Sequence, residues 1–123
     1  MRIAQFYCLL AVYTYMGLSR SGAELATTLS DKLLHFSGYV IFIISAMLAF
    51  RKRLGIMFIL LFAYSVVIEI TQYFLPYRTF EFMDILANLS GLVFGSILWV
   101  GGKRIITRIS TIPDNDYPPD DQG

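Results

Sequence analysis

The stretch YSVVIEITQYFLPYRTFEFMDILANLSG, residues 64–91, decides the fold of this chain. It begins and ends as apolar runs of the kind that cross a membrane. The first run nevertheless contains Glu69 and Gln72, and the second contains Asp84 and Asn88. Ionisable residues inside a membrane are costly, and they usually face the interior of a helix bundle, where they mark a site. The stretch therefore predicts two membrane helices joined by a short loop, with their polar side chains turned inward.

The composition agrees with a membrane protein and excludes several other classes. Hydrophobic residues make up 56% of the 123 residues and charged residues 15%, against roughly 45–50% and about 25% in soluble chains. The net charge of +1 and the lack of a basic face give no indication of nucleic-acid binding. The single cysteine, Cys8, excludes an internal disulfide. The sequence also contains no phosphate-binding loop, zinc-protease motif or nucleophile elbow.

Four apolar segments cover residues 3–18, 33–50, 54–75 and 82–100. Each is near the length of about 20 residues that a helix needs to cross the hydrocarbon core. We therefore predict an all-α membrane protein, a bundle of four transmembrane helices that forms one domain over residues 1–111. The first segment has Arg2 at its start and small residues at 21–23, as a signal peptide has. Cleavage after Ala23 thus stays open beside an uncleaved anchor.

Basic residues predict the orientation of the bundle. Seven of the ten lysines and arginines fall on one side of the four segments, namely Arg2, Arg51, Lys52, Arg53, Lys103, Arg104 and Arg108. The positive-inside rule places that side, and with it both termini, in the cytoplasm. The tail over residues 112–123 carries four aspartates and three prolines with almost nothing to bury. We expect it to be a disordered acidic cytoplasmic extension.

This topology places the unusual polar residues at the outer ends of the second, third and fourth spans. They come in pairs three or four positions apart, so each pair shares one helical face: Asp31 with His35, Glu69 with Gln72, and Asp84 with Asn88. Gly91 and Gly95 continue nearly the same stripe and form a small-xxx-small pair that lets another helix approach closely. The three faces are expected to converge on one outward-opening cleft.

The chain resembles the VanZ-like family in one ordered pattern: Asp31-Lys32-x-x-His35-Phe36, Glu69-x-x-Gln72, Pro76-x-Arg78 and Asp84-x-x-x-Asn88-x-x-Gly91-x-x-x-Gly95. The pattern covers residues 31–95, and Tyr77 stands where a glycine is expected before the arginine. Members of this family are small bacterial integral membrane proteins, named for one associated with teicoplanin resistance. The resemblance implies a multi-pass protein of the bacterial cytoplasmic membrane, and it implies no defined reaction.

The polar residues suggest roles in such a site. Glu69, His35 and Asp84 are the candidate catalytic residues, because a buried carboxylate or a histidine can transfer protons near neutral pH. The candidate ligand-binding residues are Asp31, Lys32, Gln72, Arg78 and Asn88. Structural alternatives stay open for all of them: His35 pinning helices together, Asp84 capping its helix, and Lys32 and Arg78 remaining in water as rim charges. With one histidine among carboxylates, we expect no metal and no cofactor, although one histidine with two or three carboxylates is a donor set that can hold a metal.

Three functions remain open at this point. The first is an enzyme or binding protein for an amphiphilic envelope lipid, a lipid-linked cell-wall precursor or a lipid-tailed glycopeptide antibiotic. The second is a non-catalytic membrane protein that binds a partner and whose polar residues lock the bundle. The third, a proton-coupled transporter, fits less well because the inner halves of the spans are almost wholly apolar. The oligomeric state leaves no signal in the sequence.

Overall fold

The computed structural model describes residues 1–28, 30–51 and 53–111, and every regular element in these ranges is a helix. There are five: α1 (Arg2–Leu18), α2 (Arg20–Thr28), α3 (Asp31–Phe50), α4 (Leu54–Tyr73) and α5 (Phe82–Ser110). Within this part of the chain, α3, α4 and α5 are long and apolar enough to cross a membrane. The predicted all-α membrane class is therefore confirmed in this coarser form. The α1 helix, with 17 residues, does not belong to that group.

The helix boundaries differ from the predicted spans at four ends: α1 and α3 begin one and two residues early, α4 ends two residues early, and α5 ends ten residues late. The α4 helix ends at Tyr73 because Pro76 follows and disfavours continuation. The α5 helix runs ten residues beyond Val100, since Lys103, Arg104 and Arg108 end the apolar pattern without breaking the helix. The short α2 helix was not predicted. The acidic tail from residue 112 lies outside the described residues.

The connection between α3 and α4 is tight. Arg51 ends α3 in the left-handed conformation, with φ 47°, which terminates a helix in the way glycine usually does. Leu54 begins α4 three residues later. The two helices therefore run in opposite directions and pack against each other.

Two glycines bring α3 and α5 into close contact. A Cβ atom at Gly91 would lie 2.3 Å from the carbonyl oxygen of Phe36, and one at Gly95 would lie 2.4 Å from Ile43. In lipid there is little hydrophobic drive for helices to associate, so close packing through small residues is a main source of stability. This seam fixes the relative positions of the polar residues on α3 and α5.

The core between the helices is apolar and aromatic. Tyr39, Phe42, Ile43 and Leu92 are almost fully buried, and rings from α1 and α4 meet Phe42 edge-on, among them Tyr13 at 4.9 Å and Tyr64 at 6.0 Å between ring centroids. Many large apolar side chains point outward instead; Ile59 and Ile97, for example, are more than 60% exposed. An apolar exterior around a packed core is the pattern expected of a bundle whose solvent is lipid.

The two ends of the bundle differ in charge. At one end Arg2, Arg51 and Lys103 line a common cavity beside Trp99, and the Lys103 ammonium lies 5.6 Å from the Trp99 ring. The opposite end is formed by the end of α1, the α2 helix, the start of α3, the end of α4 and the start of α5. The acidic and amide side chains predicted to form a site all lie at this second end.

Candidate functional site

His35 lies at the centre of the polar cluster and contacts groups from three helices. Its Nδ1 atom is 2.9 Å from Asn88 Oδ1 on α5 and 3.7 Å from Glu69 Oε1 on α4. Its Nε2 atom is 3.7 Å from Asp31 Oδ1, one turn earlier on α3, and 3.9 Å from Asp84 Oδ2 on α5. The structure thus brings three carboxylates and an amide around one buried imidazole.

Local helix geometry explains this arrangement. Asp31 and His35 are four residues apart and so share a face of α3, and the same spacing aligns Asp84 with Asn88 on α5. Because Gly91 allows the α5 backbone to reach α3, these two faces meet at hydrogen-bond distance. The face of α4 that carries Glu69 closes the third side.

Glu69 is the most deeply buried charged group of the site. Its side chain is 0% exposed, and neither carboxylate oxygen has a hydrogen-bond partner among the described residues. A buried polar group without a partner usually costs about 1–3 kcal/mol, and more for a charged one. Ionisable residues inside a membrane bundle are costly and often functional, so Glu69 stays a candidate site residue.

Lys32 is held between two carboxylates at the rim. Its ammonium donates to Asp84 Oδ1 at 2.6 Å and to Glu81 Oε2 at 2.5 Å. The nearby Lys32 ammonium holds the pKa of the Glu81 carboxyl below its usual range. Lys32, predicted to bind a ligand, is thus already paired within the chain, and Asp84 is fixed with its second oxygen turned toward His35.

Gln72 and Arg78 face α1 rather than His35. The Gln72 amide donates to the carbonyl oxygen of Gly17 at 2.8 Å, and Arg78 Nη2 donates to that of Met16 at 2.7 Å. Tyr77, in the position expected to be glycine, donates its hydroxyl to the carbonyl of Leu18 at 2.8 Å. The last carbonyl oxygens of a helix lack intrahelical hydrogen-bond donors. Here three consecutive ones at the end of α1 receive hydrogen bonds from these side chains. A cationic side chain is also favoured beside a helix C-terminus.

Three parts of the site were not predicted from the sequence: the α2 helix, Tyr77 and Gly22. A Cβ atom at Gly22 would lie 1.7 Å from the carbonyl oxygen of Met16 and 3.0 Å from Arg78 Nη2, so only glycine lets α2 pack against this corner. The available signals were the small residues of the segment RSGAELATT and the Arg20–Glu24 spacing of four, which forms an exposed ion pair. These signals indicate a short amphipathic helix, which a search for apolar spans overlooks.

Two cavities meet at this end of the bundle. The first, of about 280 Å³, lies mainly between α1, α2 and α3, and it is largely apolar. The second, of about 370 Å³, is polar, and its wall includes the charged residues Asp31, Arg78, Glu81 and Asp84. Four residues line both cavities: Ala26, Asp31, Gln72 and Arg78. The site therefore has an apolar compartment and a charged compartment that share one wall.

Among the described residues, one group combines donor atoms at a spacing that suits a metal ion. Ligand atoms of Asp31, His35 and Asp84 all lie within 4.8 Å of one another. The single buried histidine with two carboxylates is a mixed nitrogen and oxygen donor set of the kind that borderline divalent metals accept.

Comparison with known proteins identifies the family. The sequence model of the VanZ/LLP1 family matches residues 5–106. This chain belongs to the VanZ/LLP1 family. The resemblance seen in residues 31–95 is thereby confirmed, and the match extends it over most of α1 and α5. Searches of curated proteins and of solved structures found no match. Family membership together with the three long apolar helices makes this chain a VanZ-like membrane protein.

Proposed function

We propose that this VanZ/LLP1 protein binds an amphiphilic envelope lipid, with its tail in the apolar cavity and its headgroup in the charged cavity. The single observation that carries the proposal is the wall shared by the two cavities, formed by Ala26, Asp31, Gln72 and Arg78. A ligand with one apolar and one polar part is the kind that fills both compartments at once.

The apolar cavity suits an acyl or prenyl chain. Its lining includes Leu9, Val12 and Met16 of α1, Leu25 of α2 and Ile41 of α3. Val12 and Ile41 are each more than half exposed on the lipid-facing side of the bundle. A chain that enters sideways from the bilayer between these two side chains would meet apolar surface first.

The charged cavity favours a headgroup rich in hydrogen-bond donors. Three carboxylates line it, from Asp31, Glu81 and Asp84, beside the single guanidinium of Arg78. Hydroxyl or amino groups suit the carboxylates, and a phosphate suits Arg78. Lipid-linked cell-wall precursors and lipid-tailed glycopeptide antibiotics both carry such headgroups, and the second class agrees with a role in teicoplanin resistance.

Acid–base chemistry at the shared wall would involve Glu69, His35 and Asp84. A reacting headgroup beside Asp31 lies next to the imidazole, and the imidazole is 3.7 Å from the buried Glu69 carboxylate. This arrangement provides a chain of groups that can move a proton between the cavity and the interior. Transfer of a phosphoryl or acyl group is the reaction class that we propose for it.

The proposal includes a membrane topology. We place α1, α3, α4 and α5 across the bacterial cytoplasmic membrane, with the Arg2, Arg51 and Lys103 end in the cytoplasm and the site at the outer leaflet. The α1 helix is about 26 Å long at 1.5 Å per residue, slightly short of a core of about 30 Å. Reporter fusions at each terminus test this topology: both should be active only as cytoplasmic reporters, and an external signal from either terminus would contradict it.

A second candidate function is supported by the bonds to the end of α1. Because Gln72, Arg78 and Tyr77 all cap that helix, part of the predicted site is scaffold. In this alternative the polar residues hold the bundle together and the protein acts by binding another membrane protein.

Mass spectrometry of envelope lipids separates the two functions. Cells lacking the protein are compared with cells that carry wild type, Glu69→Gln or the control Glu24→Gln at matched membrane levels. We expect one amphiphilic species to change in the null strain and in Glu69→Gln, while wild type and Glu24→Gln restore it. If Glu69→Gln restores the lipid profile as wild type does, the carboxylate is structural and the second candidate is correct.

A further inference from the structure

We propose that Asp31, His35 and Asp84 bind a divalent transition-metal ion, Zn²⁺ or Mn²⁺, through Asp31 Oδ1, His35 Nε2 and Asp84 Oδ2. This inference deepens the proposed function, because the ion would lie in the wall between the two cavities. It departs from the expectation of no metal and takes up the alternative that one histidine with carboxylates can hold one.

The hydrogen bond on one side of His35 prepares the other side for a metal. Asn88 Oδ1 lies 2.9 Å from His35 Nδ1 and can only accept, so Nδ1 carries the proton. Nε2 then presents a lone pair toward the cavity. Metal-binding histidines almost always donate their other ring N–H to such an acceptor, which fixes the tautomer and the ring orientation.

The distances around Nε2 are too long for hydrogen bonds and suit a bridging ion. Asp31 Oδ1 is 3.7 Å and Asp84 Oδ2 is 3.9 Å from Nε2, beyond the range of roughly 2.7–3.2 Å for N–H···O bonds. Ligands about 2.0–2.2 Å from a tetrahedral Zn²⁺ lie roughly 3.4 Å from one another. The two distances from Nε2 exceed this separation by only a few tenths of an ångström, and all three ligand atoms lie within 4.8 Å of one another.

The charge of the cluster also indicates a cation. The charged side chains around His35 comprise four carboxylates and two cations. The carboxylates are those of Asp31, Glu69, Glu81 and Asp84, and the cations are Lys32 and Arg78. When all four are ionised, their excess over the two cations equals the charge of one divalent ion. Glu69 is fully buried and lies on the Nδ1 side of the ring, away from the proposed ion, so it is not one of the ligands.

Three protein ligands leave a position on the ion for water or a ligand oxygen, as in catalytic zinc sites. Asp31 and Asp84 both line the charged cavity, so that position is accessible to a headgroup. Lys32 donates to Asp84 Oδ1 and leaves Oδ2 for the ion. In this form of the site Asp31, His35 and Asp84 hold the metal, and the imidazole does not relay a proton to the cavity. Of the three candidate catalytic residues, only Glu69 lies outside the ligand set.

Metal content of the purified full chain tests the proposal. The protein is prepared in nanodiscs without a polyhistidine tag, stripped with a chelator, reloaded with Zn²⁺ or Mn²⁺ alone, and freed of unbound ion by gel filtration. We expect about one ion per chain in wild type, and none in His35→Gln or Asp84→Asn. Glu24→Gln, an exposed carboxylate on α2, is the control and should bind as wild type does.

A substitution outside the ligand set separates metal ligation from general attraction to acidic residues. Asn88→Ala leaves all three ligands in place and removes the group that fixes the His35 tautomer, so we expect metal affinity to fall about 10–100-fold. Wild type loaded with Co²⁺ should show the visible absorption bands of a four- or five-coordinate ion without a thiolate ligand. His35→Gln should lose these absorption bands.

Wild type alone suffices to overturn the proposal. If it retains no ion after reloading, and neither Zn²⁺ nor Mn²⁺ raises its thermal stability above that in chelator, the site binds no metal, whatever the variants do. Equal metal retention by wild type, His35→Gln and Asp84→Asn would also refute it. These measurements do not depend on the envelope lipid that the protein is proposed to bind. A failure here therefore does not decide the Glu69 lipid test, and a failure of that test does not remove a demonstrated metal site.

Discussion

Two seams hold the site together, and they are built differently. Along the α3–α5 seam, Gly91 and Gly95 let one helix approach the other until backbone and side-chain atoms touch. At the α1 seam, the side chains of Gln72, Tyr77 and Arg78 reach the carbonyl oxygens at the helix end. The first seam depends on space that only glycine leaves free. The second depends on several separate hydrogen bonds, each of which can be lost alone.

The two seams position different parts of the site, the polar cluster and the apolar cavity. The α3–α5 seam positions His35 against Asp84 and Asn88, so any separation of these helices breaks the polar cluster at once. The α1 seam borders the apolar cavity, whose lining comes mostly from α1, α2 and α3. Changes at α1 should therefore alter the cavity gradually while the cluster around His35 stays intact.

The largest expected effect comes from Gly91→Ala. The added Cβ would lie 2.3 Å from the Phe36 carbonyl oxygen, a backbone atom that cannot turn aside. We expect a loss of about 3 kcal/mol in the free energy of unfolding, at the upper end of typical overpacking costs, together with loss of metal binding. Thermal or denaturant unfolding in detergent measures it.

Gly101→Ala is the matched control for that change, because a Cβ at Gly101 has open space around it. Alanine is the better helix former by about 0.5–1 kcal/mol, so stability should hold or rise slightly. If both alanine variants behave alike, the close approach of α3 and α5 is not what holds the first seam.

Arg78→Gln tests the second seam and should have a smaller effect. The charged donor to the Met16 carbonyl is removed, and hydrogen bonds that involve a charged group contribute about 1.5–3 kcal/mol. We expect about 1.5 kcal/mol of destabilisation with metal binding retained, since Arg78 is not one of the proposed ligands. The unfolding assay and the metal analysis are made on the same sample. Loss of the metal at unchanged stability would place Arg78 in the site and not in the scaffold.

The sequence predicted the first seam well. Helical periodicity places Asp31 with His35, and Asp84 with Asn88, on one face of each helix, and it does the same for the two glycines. Because successive helices alternate in direction, the polar pairs lie at the same end of the bundle. Apolar length likewise located α3, α4 and α5 within a few residues, except where α5 continues past Val100. Periodicity works here because these contacts run from one regular helix face to another.

The second seam could not be predicted in the same way. Gln72 and Arg78 bond to backbone carbonyls, and every residue carries a carbonyl, so the partner leaves no mark in the sequence. The α2 helix is neither long nor continuously apolar, and its packing depends on the absence of a side chain at Gly22. The pairing of Lys32 with Glu81 depends on how the loop after α4 folds back, which spacing along the chain does not determine.

Glu69→Gln should raise stability slightly, in contrast to both seams. Glutamine has nearly the same shape, carries no charge and removes an unpartnered carboxylate from a fully buried position. Because glutamine removes the charge but keeps a buried polar group, we expect a gain of only about 1 kcal/mol, even though the variant does not restore the lipid profile in cells. Unfolding of the purified variant measures the gain. A loss of similar size would mean that the carboxylate has a stabilising partner and belongs to the scaffold.

The smallest expected effect is that of Tyr77→Phe, which removes one hydroxyl from the α1 seam. The bond to the Leu18 carbonyl is exposed, and hydrogen bonds between membrane helices average only about 0.6 kcal/mol. We expect a loss of that size, and the combined variant Tyr77→Phe with Arg78→Gln should lose about the sum of the two. A combined loss well above the sum would show that neighbouring carbonyls of α1 are capped cooperatively. The second seam would then resemble the first, failing as a unit once one contact is broken.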